Sequence, residues 1–307
     1  MNAPTPRPAL LRPFGRSGLQ VSALGFGAMH LNDERSSEAE AAALLNAVLD
    51  LGVTLIDTAR SYGLSEERLG RHLAHRRSEF LLSTKLGYGV EGVPDWTYDC
   101  IVQGVERALR LMRTEVIDIA HLHSCPLEIL QHGEVIRALD DCRRAGKIRV
   151  AAYSGENAEL DFALAEPVFG AVQTSVSVCD QANVPGRLAQ ATARGVGVIA
   201  KRPLAGAIWR HAHRPDDFAE GQYWDRWQAM GIEALRQDLT PDMPPDEMAL
   251  RFAAWLPGVD CVIAGTRQLD NFKRNLAAVA KGPLPQALQQ ALLDRFVPHT
   301  AHWPGLI

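Results

Sequence analysis

The chain has 307 residues, of which 47% are hydrophobic, enough to bury one large core or two small ones. Lysine and arginine total 32 against 36 aspartates and glutamates, and the net charge of -4 offers no electrostatic footprint for nucleic acid or an acidic membrane surface. No apolar run approaches the roughly 20 residues needed to span a bilayer, so we expect neither nucleic acid nor a membrane among the partners.

The N-terminal stretch MNAPTPRPALLRP is rich in proline and lacks the apolar core of a signal peptide. We expect residues 1–13 to form a loose arm and residues 14–307 to form a single domain, because no linker interrupts the rest. The five cysteines are Cys100, Cys125, Cys142, Cys179 and Cys261. Their odd number and wide spacing indicate neither a disulfide framework nor metal-ligand pairs, which predicts a cytoplasmic protein without a bound metal.

Eight short apolar runs are typical of buried strands, and amphipathic segments separate most of them. The runs cover residues 23–28, 53–56, 80–84, 116–122, 148–153, 171–173, 196–200 and 261–264. In the first amphipathic segment Ser37 and Glu40 form a capping box, and Gly52 supplies the stop, so we predict a helix there. A second predicted helix begins at Thr97, and a third ends at Gly146.

The alternation of strand and helix predicts a closed (β/α)8 TIM barrel with long loops at the C-terminal face. A doubly wound open sheet is the alternative, but it would normally carry G-x-G-x-x-G after the first strand. Here Gly25 and Gly27 have no third glycine, so we expect them to allow close packing at the barrel mouth. Residues 203–246 form a long irregular segment with Trp209, Trp224 and Trp227, as in a lid or binding segment.

Ionisable side chains follow three consecutive predicted strands, where the chemistry of such barrels is placed. They are Asp57 and Tyr62 after the second strand, Lys85 at the end of the third, and His123 at the mouth of the fourth. Taken singly, each has an ordinary structural explanation: a turn cap, a surface phenol, a solvated strand end and a core histidine. Their occurrence together favours one shared site.

These four residue types suit acid–base chemistry on an oxygen atom. A phenol with a pKa of about 10 exchanges its proton poorly near neutrality, and a neighbouring ammonium group favours the phenolate. Asp57 would hold Lys85 in place and keep it charged, while His123 could hydrogen-bond the substrate oxygen. Such a site can donate a proton as a carbonyl becomes an alcohol, or remove it in the reverse direction.

With these residues the chain resembles the aldo-keto reductase family. The matching stretches occur in the family's order between about residues 14 and 280, and they read GFGAM, LIDTARSYGLSEERLG, LLSTKLG, IDIAHLHS, GKIRVAAYSG, AVQ and VIAGTRQLDNFKRN. The resemblance implies a (β/α)8 barrel, a catalytic tetrad of Asp57, Tyr62, Lys85 and His123, and a nicotinamide cofactor. It implies NADP, with NAD possible, bound extended across the barrel mouth.

Carried over residue by residue, the resemblance places Ser154 and Gln173 on the nicotinamide carboxamide, and Asn275 on the adenine. It places Gly265, Thr266 and Arg267 on the adenosine phosphate, at a strand that leads into a helix N-terminus, itself a natural anion site. Gly27, Pro203, Leu204 and Asn271 complete the expected cofactor-binding residues. For Gln173 and Asn275, ordinary capping or turn hydrogen bonds are the alternative.

Two departures from the family pattern stand out. The family commonly has Ser-Asn after the fifth strand, where this chain has Ser154 and Gly155. After the seventh strand, where many members place an aromatic ring against the nicotinamide, this chain has Lys201 and Arg202. These two cations could meet the cofactor's pyrophosphate or pair with carboxylates at the barrel rim.

The sequence leaves three functions to weigh. The first is an NADPH-dependent reductase of an aldehyde, ketone or sugar carbonyl, with Tyr62 as proton donor. The second is an NAD(P)-dependent sugar or alcohol dehydrogenase working oxidatively, and the third is a cofactor-sensing regulator resembling the potassium-channel β subunits of the family. We expect loops 87–96 and 209–227 to contact the small-molecule substrate. Arg267 predicts a preference for NADPH, unless it merely pairs with Asp270.

Overall fold

The computed structural model describes residues 10–307. Its ten strands are β1 (Leu11–Pro13), β2 (Gln20–Ser22), β3 (Leu24–Gly27), β4 (Leu55–Asp57), β5 (Leu81–Leu86), β6 (Ile117–His123), β7 (Ile148–Ser154), β8 (Ala171–Ser175), β9 (Gly197–Lys201) and β10 (Cys261–Ala264). The α-helices within this range are α1 (Glu38–Asp50), α2 (Ser65–Leu73), α3 (Tyr98–Leu111), α4 (Leu127–His132), α5 (Glu134–Arg144), α6 (Asn157–Ala165), α7 (Arg187–Arg194), α8 (Phe218–Ala229), α9 (Ile232–Leu239), α10 (Pro245–Ala254), α11 (Leu269–Ala280) and α12 (Gln286–Phe296).

Strands β3 to β10 close into a barrel in sequence order, with β10 returning to pair with β3. Neighbouring strands are parallel throughout, which requires a crossover between each pair, and helices supply it. The predicted (β/α)8 barrel is confirmed, and each of the eight predicted runs overlaps one barrel strand. Because the strands are parallel, their carboxyl ends meet at one mouth of the barrel.

The three predicted helices form where their caps predicted. The Ser37 side chain accepts from the Glu40 amide and the Glu40 carboxylate accepts from the Ser37 amide, so the capping box before α1 is present. Thr97 caps α3 through its side chain alone, which accepts from the Cys100 amide at 3.2 Å. Gly146, just beyond α5, adopts a left-handed conformation with φ of 76°.

A small hairpin of β1 and β2 closes the N-terminal end of the barrel. The two strands pair antiparallel, and Phe14, Leu19 and Val21 are buried against the barrel's inner apolar layer. Residues 11–13 of the expected loose arm therefore form a strand, while residues 1–9 lie outside the described residues. The division of the chain into an arm and one domain stays a prediction.

Residues 203–246 are mostly helical, so their description as an irregular segment is wrong. A 3-10 turn at Ala205–Arg210 is followed by α8 and α9. Asp217 starts α8 by accepting from the Glu220 amide, and Trp227 is buried with its ring centroid 5.3 Å from that of Trp209. Prolines and glycines divide the stretch into short pieces, which hides the helical period in the sequence.

Among residues 10–307, no helix is both long and apolar enough to cross a lipid bilayer.

Candidate active site

The four predicted acid–base residues meet at the C-terminal mouth of the barrel. Asp57 ends β4, Lys85 and His123 lie at the ends of β5 and β6, and Tyr62 lies in the turn between β4 and α2. Nζ of Lys85 lies 2.6 Å from Oδ2 of Asp57 and 4.9 Å from the centroid of the Tyr62 ring. The rings of Tyr62 and His123 meet edge to face with centroids 6.3 Å apart. The structure thus brings the four side chains into one cluster.

A glycine sets the turn that carries Tyr62. Gly63 has a φ of 46°, and a Cβ atom there would lie 2.1 Å from the carbonyl oxygen of Asn32. Only a residue without a side chain fits this close approach of two backbones. The phenol's position next to Lys85 therefore depends on the glycine that follows it.

Lys85 is a charged group held inside the protein by its partners. Its side chain is 2% exposed, and besides Asp57 it donates to the carbonyl oxygen of Thr58 at 2.8 Å. Burial acts to lower the pKa of Lys85, but the Asp57 carboxylate and the Tyr62 phenol outweigh burial, and the pKa is raised above its usual value. The ammonium therefore persists at neutral pH beside the phenol.

The Asp57 carboxylate is held from two further sides. Its Oδ1 accepts from Ser83 Oγ at 2.8 Å and from Gln173 Nε2 at 2.9 Å, and Ser154 Oγ donates to Gln173 Oε1 at 3.2 Å. Ser154 and Gln173, expected at the nicotinamide, are therefore joined by hydrogen bonds to the tetrad. Sequence reasoning missed Ser83, although its position two residues before Lys85 on the same strand places both on one face.

His123 is packed against Tyr88, a residue of the loop after β5. The Tyr88 hydroxyl lies 2.7 Å from His123 Nδ1, and the two rings stack with centroids 5.8 Å apart. Burial, together with the charges of Lys85 and Lys201, lowers the pKa of His123 to about 3, so the imidazole is neutral near pH 7. Loop 87–96 was expected at the substrate site, but Tyr88 itself was not singled out.

Lys201 pairs with a carboxylate at the barrel mouth. Its Nζ lies 3.3 Å from Oε1 of Glu156, which is fully buried and also accepts from the Ser175 amide at 2.7 Å. Burial lowers the pKa of Lys201, partly offset by Glu156. Of the two roles open from sequence, carboxylate pairing is thus the contact that Lys201 makes. Glu156 was missed because it lies outside a strand, in the turn before α6.

Arg202 contacts the C-terminal tail. Its Nη1 donates to the carbonyl oxygen of Leu306 at 3.1 Å, and its backbone adopts a φ of 55°. Pro203 is buried and Leu204 half-buried in the turn that follows. These residues follow the C-terminal end of β9 directly, and their expected contacts with the cofactor stay a prediction.

The C-terminal tail lies across the same side of the mouth. The Leu306 amide donates to Asp180 Oδ2 at 3.0 Å, and its carbonyl also accepts from Ser175 Oγ at 3.1 Å. The backbone of Gly305 exchanges two hydrogen bonds with the Asn157 side chain, at 2.9 and 3.1 Å. Local sequence patterns carry no signal for this contact, because the partners are more than a hundred residues apart.

The expected adenosine-phosphate residues lie between β10 and α11. A Cβ atom on Gly265 would lie 2.6 Å from the carbonyl oxygen of Gly27, so the two chain segments touch by their backbones. Thr266 Oγ1 accepts from the Gln268 amide at 3.1 Å and from Asn271 Nδ2 at 3.4 Å. The N-terminus of α11 has no side-chain cap of its own, which leaves its amides suited to an anion.

Arg267 and Asn275 lie beside this helix start. Arg267 is exposed and donates through Nε to the carbonyl oxygen of His30 at 3.1 Å. Asp270, the carboxylate considered as its partner, pairs with Lys273 at 3.5 Å instead, and among residues 10–307 Arg267 has no salt bridge. Asn275 is buried on the second turn of α11. The guanidinium therefore keeps donors available for a phosphate.

Comparison with known proteins places these observations in context. A family model described as "Aldo/keto reductase family" matches residues 23–292. The chain is 26% identical over 285 residues to L-galactose dehydrogenase of Arabidopsis thaliana, covering 88% of each, and 30% identical over 298 residues to aldo-keto reductase yakc [NADP(+)] of Schizosaccharomyces pombe, covering 84% of each. The solved holo structure of aldo-keto reductase AKR11C1 from Bacillus halodurans superimposes with a TM-score of 0.80 at 28% identity, over 94% of this chain and 96% of that one.

Proposed function

The chain belongs to the aldo/keto reductase family and is an oxidoreductase, and we propose that it uses NADPH to reduce the carbonyl group of an aldehyde, ketone or sugar to an alcohol. The observation that carries this proposal is the position of Lys85. Its ammonium lies 2.6 Å from the Asp57 carboxylate and against the Tyr62 ring, which is an arrangement for proton transfer by a phenol.

In the proposed reaction Tyr62 donates its proton to the carbonyl oxygen. The nicotinamide cofactor, when bound, supplies the hydride that reduces the carbonyl carbon. Negative charge remains on the phenol oxygen after proton transfer, and the buried Lys85 ammonium stabilises it at short range in a site that excludes water. Asp57 holds Lys85 charged and in place.

His123 is proposed to orient the carbonyl. Its imidazole is neutral, because its pKa is lowered to about 3, and a neutral imidazole carries one N–H that can donate to the substrate oxygen. Tyr88 fixes the ring plane by stacking and by its contact with Nδ1. The substrate would therefore enter between Tyr62 and His123, under the loop that carries Tyr88.

The residues at the mouth fit a dinucleotide. Ser154 presents a hydroxyl group and Gln173 a side-chain amide beside the tetrad, in reach of the carboxamide of a nicotinamide. At the other end, the start of α11 has no side-chain cap and leaves backbone amides for a phosphate. The exposed guanidinium of Arg267 favours the additional phosphate of NADPH over the ribose hydroxyl of NADH. A cytoplasmic location is part of the proposal, and it rests on the odd number and wide spacing of the five cysteines in the sequence.

The oxidative direction is the second candidate, and it rests on the similarity to L-galactose dehydrogenase. The same residues serve both directions, because the group that donates a proton to the oxygen removes it in reverse. A screen of aldehydes, ketones, sugars and alcohols with both cofactors, followed by absorbance of the reduced nicotinamide, tests the proposal. We expect carbonyl reduction with NADPH. Binding of NADPH without turnover in either direction would contradict an enzymatic role and favour cofactor sensing.

A further inference from the structure

Two polar side chains, Ser83 and His121, lie inside the barrel, each two residues before a member of the tetrad on its strand. Side chains alternate along a strand, so Ser83 shares the inner face of β5 with Lys85, and His121 shares the inner face of β6 with His123. Both are fully buried, where polar groups are unfavourable unless they are hydrogen-bonded. The hydrogen-bond partners of Ser83 and His121 therefore indicate the role of these two residues.

The hydrogen bonds of this pair have a defined direction. Ser83 Oγ lies 2.8 Å from Oδ1 of Asp57, and a carboxylate paired with an ammonium can only accept, so the hydroxyl proton points to Asp57. At its second contact, 3.1 Å from His121 Nε2, the Ser83 oxygen must then accept. His121 consequently carries its proton on Nε2. Its other nitrogen, Nδ1, is then unprotonated and lies 3.4 Å from the Tyr153 carbonyl oxygen, which can only accept, so in this tautomer that longer contact is not a hydrogen bond.

We propose that Ser83 and His121 are positioning residues that fix the Asp57 carboxylate for catalysis, an inference that rests on the proposed function. The chain of donors runs from His121 Nε2 through Ser83 Oγ to Asp57 Oδ1, while Lys85 holds Oδ2. The rotation of the carboxylate is thereby fixed from both oxygens. The position of Lys85 against Tyr62 follows from it.

The hydrogen bond from Ser83 to Asp57 would matter more once a cofactor is bound. Oδ1 of Asp57 has two donors, Ser83 and Gln173, and Gln173 is also the residue proposed for the nicotinamide carboxamide. A Gln173 amide that turned to a bound cofactor would leave Ser83 as the remaining side-chain donor to Oδ1. Asp57 is 1% exposed, so bulk water does not replace a lost donor.

Variants with matched partners test the proposal. Ser83→Ala removes the donor to Asp57, and we expect kcat to fall about tenfold, as for the loss of one hydrogen bond to a charged group, with the Kd for NADPH unchanged. Ser83→Thr keeps the hydroxyl and should recover most of kcat. His121→Leu should lower kcat less than Ser83→Ala, and His121→Gln, which can retain a donor in place of Nε2, should recover it.

Thr84→Val is the control variant. Thr84 is the next residue on β5, and its hydroxyl donates to the buried Glu66 at 2.8 Å on the outer face of the barrel. We expect its loss to lower Tm and leave kcat unchanged, which separates general destabilisation from misplacement of Asp57. A double variant of Ser83→Ala with His121→Leu should be no slower than Ser83→Ala alone, because both changes act through the same oxygen.

The results that would overturn this inference differ from those that would refute the proposed function. Wild-type kcat in Ser83→Ala, or an equal loss in Ser83→Thr and Ser83→Ala, would overturn the positioning role in an active enzyme. If the wild-type protein turns over no substrate, the proposed function fails, and nitrogen-15 chemical shifts of His121 decide the inference separately. A protonated Nε2 whose resonance moves in Ser83→Ala supports the chain of donors, and a protonated Nδ1 overturns it.

Discussion

Replacement of Lys85 by methionine removes one positive charge while keeping a flexible side chain of similar length. The ammonium lies 4.9 Å from the centre of the Tyr62 ring and is almost fully buried. With that separation and an effective dielectric constant of about 20, a unit charge on the phenol loses about 3 kcal/mol of stabilisation. Since 1.36 kcal/mol corresponds to a factor of ten, kcat should fall by roughly two orders of magnitude.

The same change leaves Asp57 without its ion-pair partner. Removal of one member of a buried pair typically costs about 3–5 kcal/mol of folding stability, so the variant should also melt at lower temperature. Lys85→Met combined with Asp57→Asn relieves the unpaired carboxylate and provides the control, because stability should recover while kcat stays low. Single-turnover rates at saturating NADPH, compared with Tm for each protein, separate the two effects.

A Lys85→Met protein that keeps the wild-type rate and pH profile would refute the role of the ammonium. Recovery of kcat in the double variant would refute it equally, since the loss would then come from misfolding around Asp57. The direction of the pH effect is also defined. The pKa of Lys85 is raised in the folded protein, so the stability that the pair contributes is present below about pH 10.4 and is lost as pH rises through the folded value.

Four further predictions follow from single features. Tyr62→Phe should lower kcat by about 10²-fold or more and leave the affinity for NADPH nearly unchanged. Steady-state rates and cofactor titration measure the two quantities, and a near-normal rate would exclude Tyr62 as proton donor. Arg267→Ala should weaken NADPH binding about tenfold or more and leave NADH binding unchanged, whereas an equal loss in both dissociation constants would contradict the phosphate assignment. Deletion of residues 305–307 removes the acceptor of Arg202 and should lower Tm in thermal melts, while an unchanged Tm would show that the docked tail contributes no stability. The unfolding free energy should fall as pH drops from about 6.5 toward 3, because the pKa of His123 is about 3 in the folded protein and the unfolded chain takes up that proton first. Denaturant titrations of the wild type and of His123→Asn measure the unfolding free energy at each pH. Identical slopes of unfolding free energy against pH in the two proteins would contradict the assignment.

The sequence by itself determined the barrel, and it predicted that Asp57, Tyr62, Lys85 and His123 lie together at its mouth. Each strand is a short apolar run ended by a polar or turn residue, and this signal needs no information from elsewhere in the chain. Once parallel strands are expected, their carboxyl ends must meet, so Asp57, Lys85 and His123 could be grouped without coordinates. The capping box at Ser37 and Glu40 was equally local, and it lies where it was predicted.

Only the tertiary structure decided which further polar residues contact these four side chains. Ser83 contacts both Asp57 and His121 through the register of three neighbouring strands, and a shift by one residue would turn each to the opposite face. The pairing of Lys201 with Glu156 and the docking of Leu306 depend on loops whose paths carry no sequence period. The burial of Lys85, His123 and Lys201 is likewise a property of the packed barrel rather than of any segment, because it arises only when distant parts of the chain exclude water together.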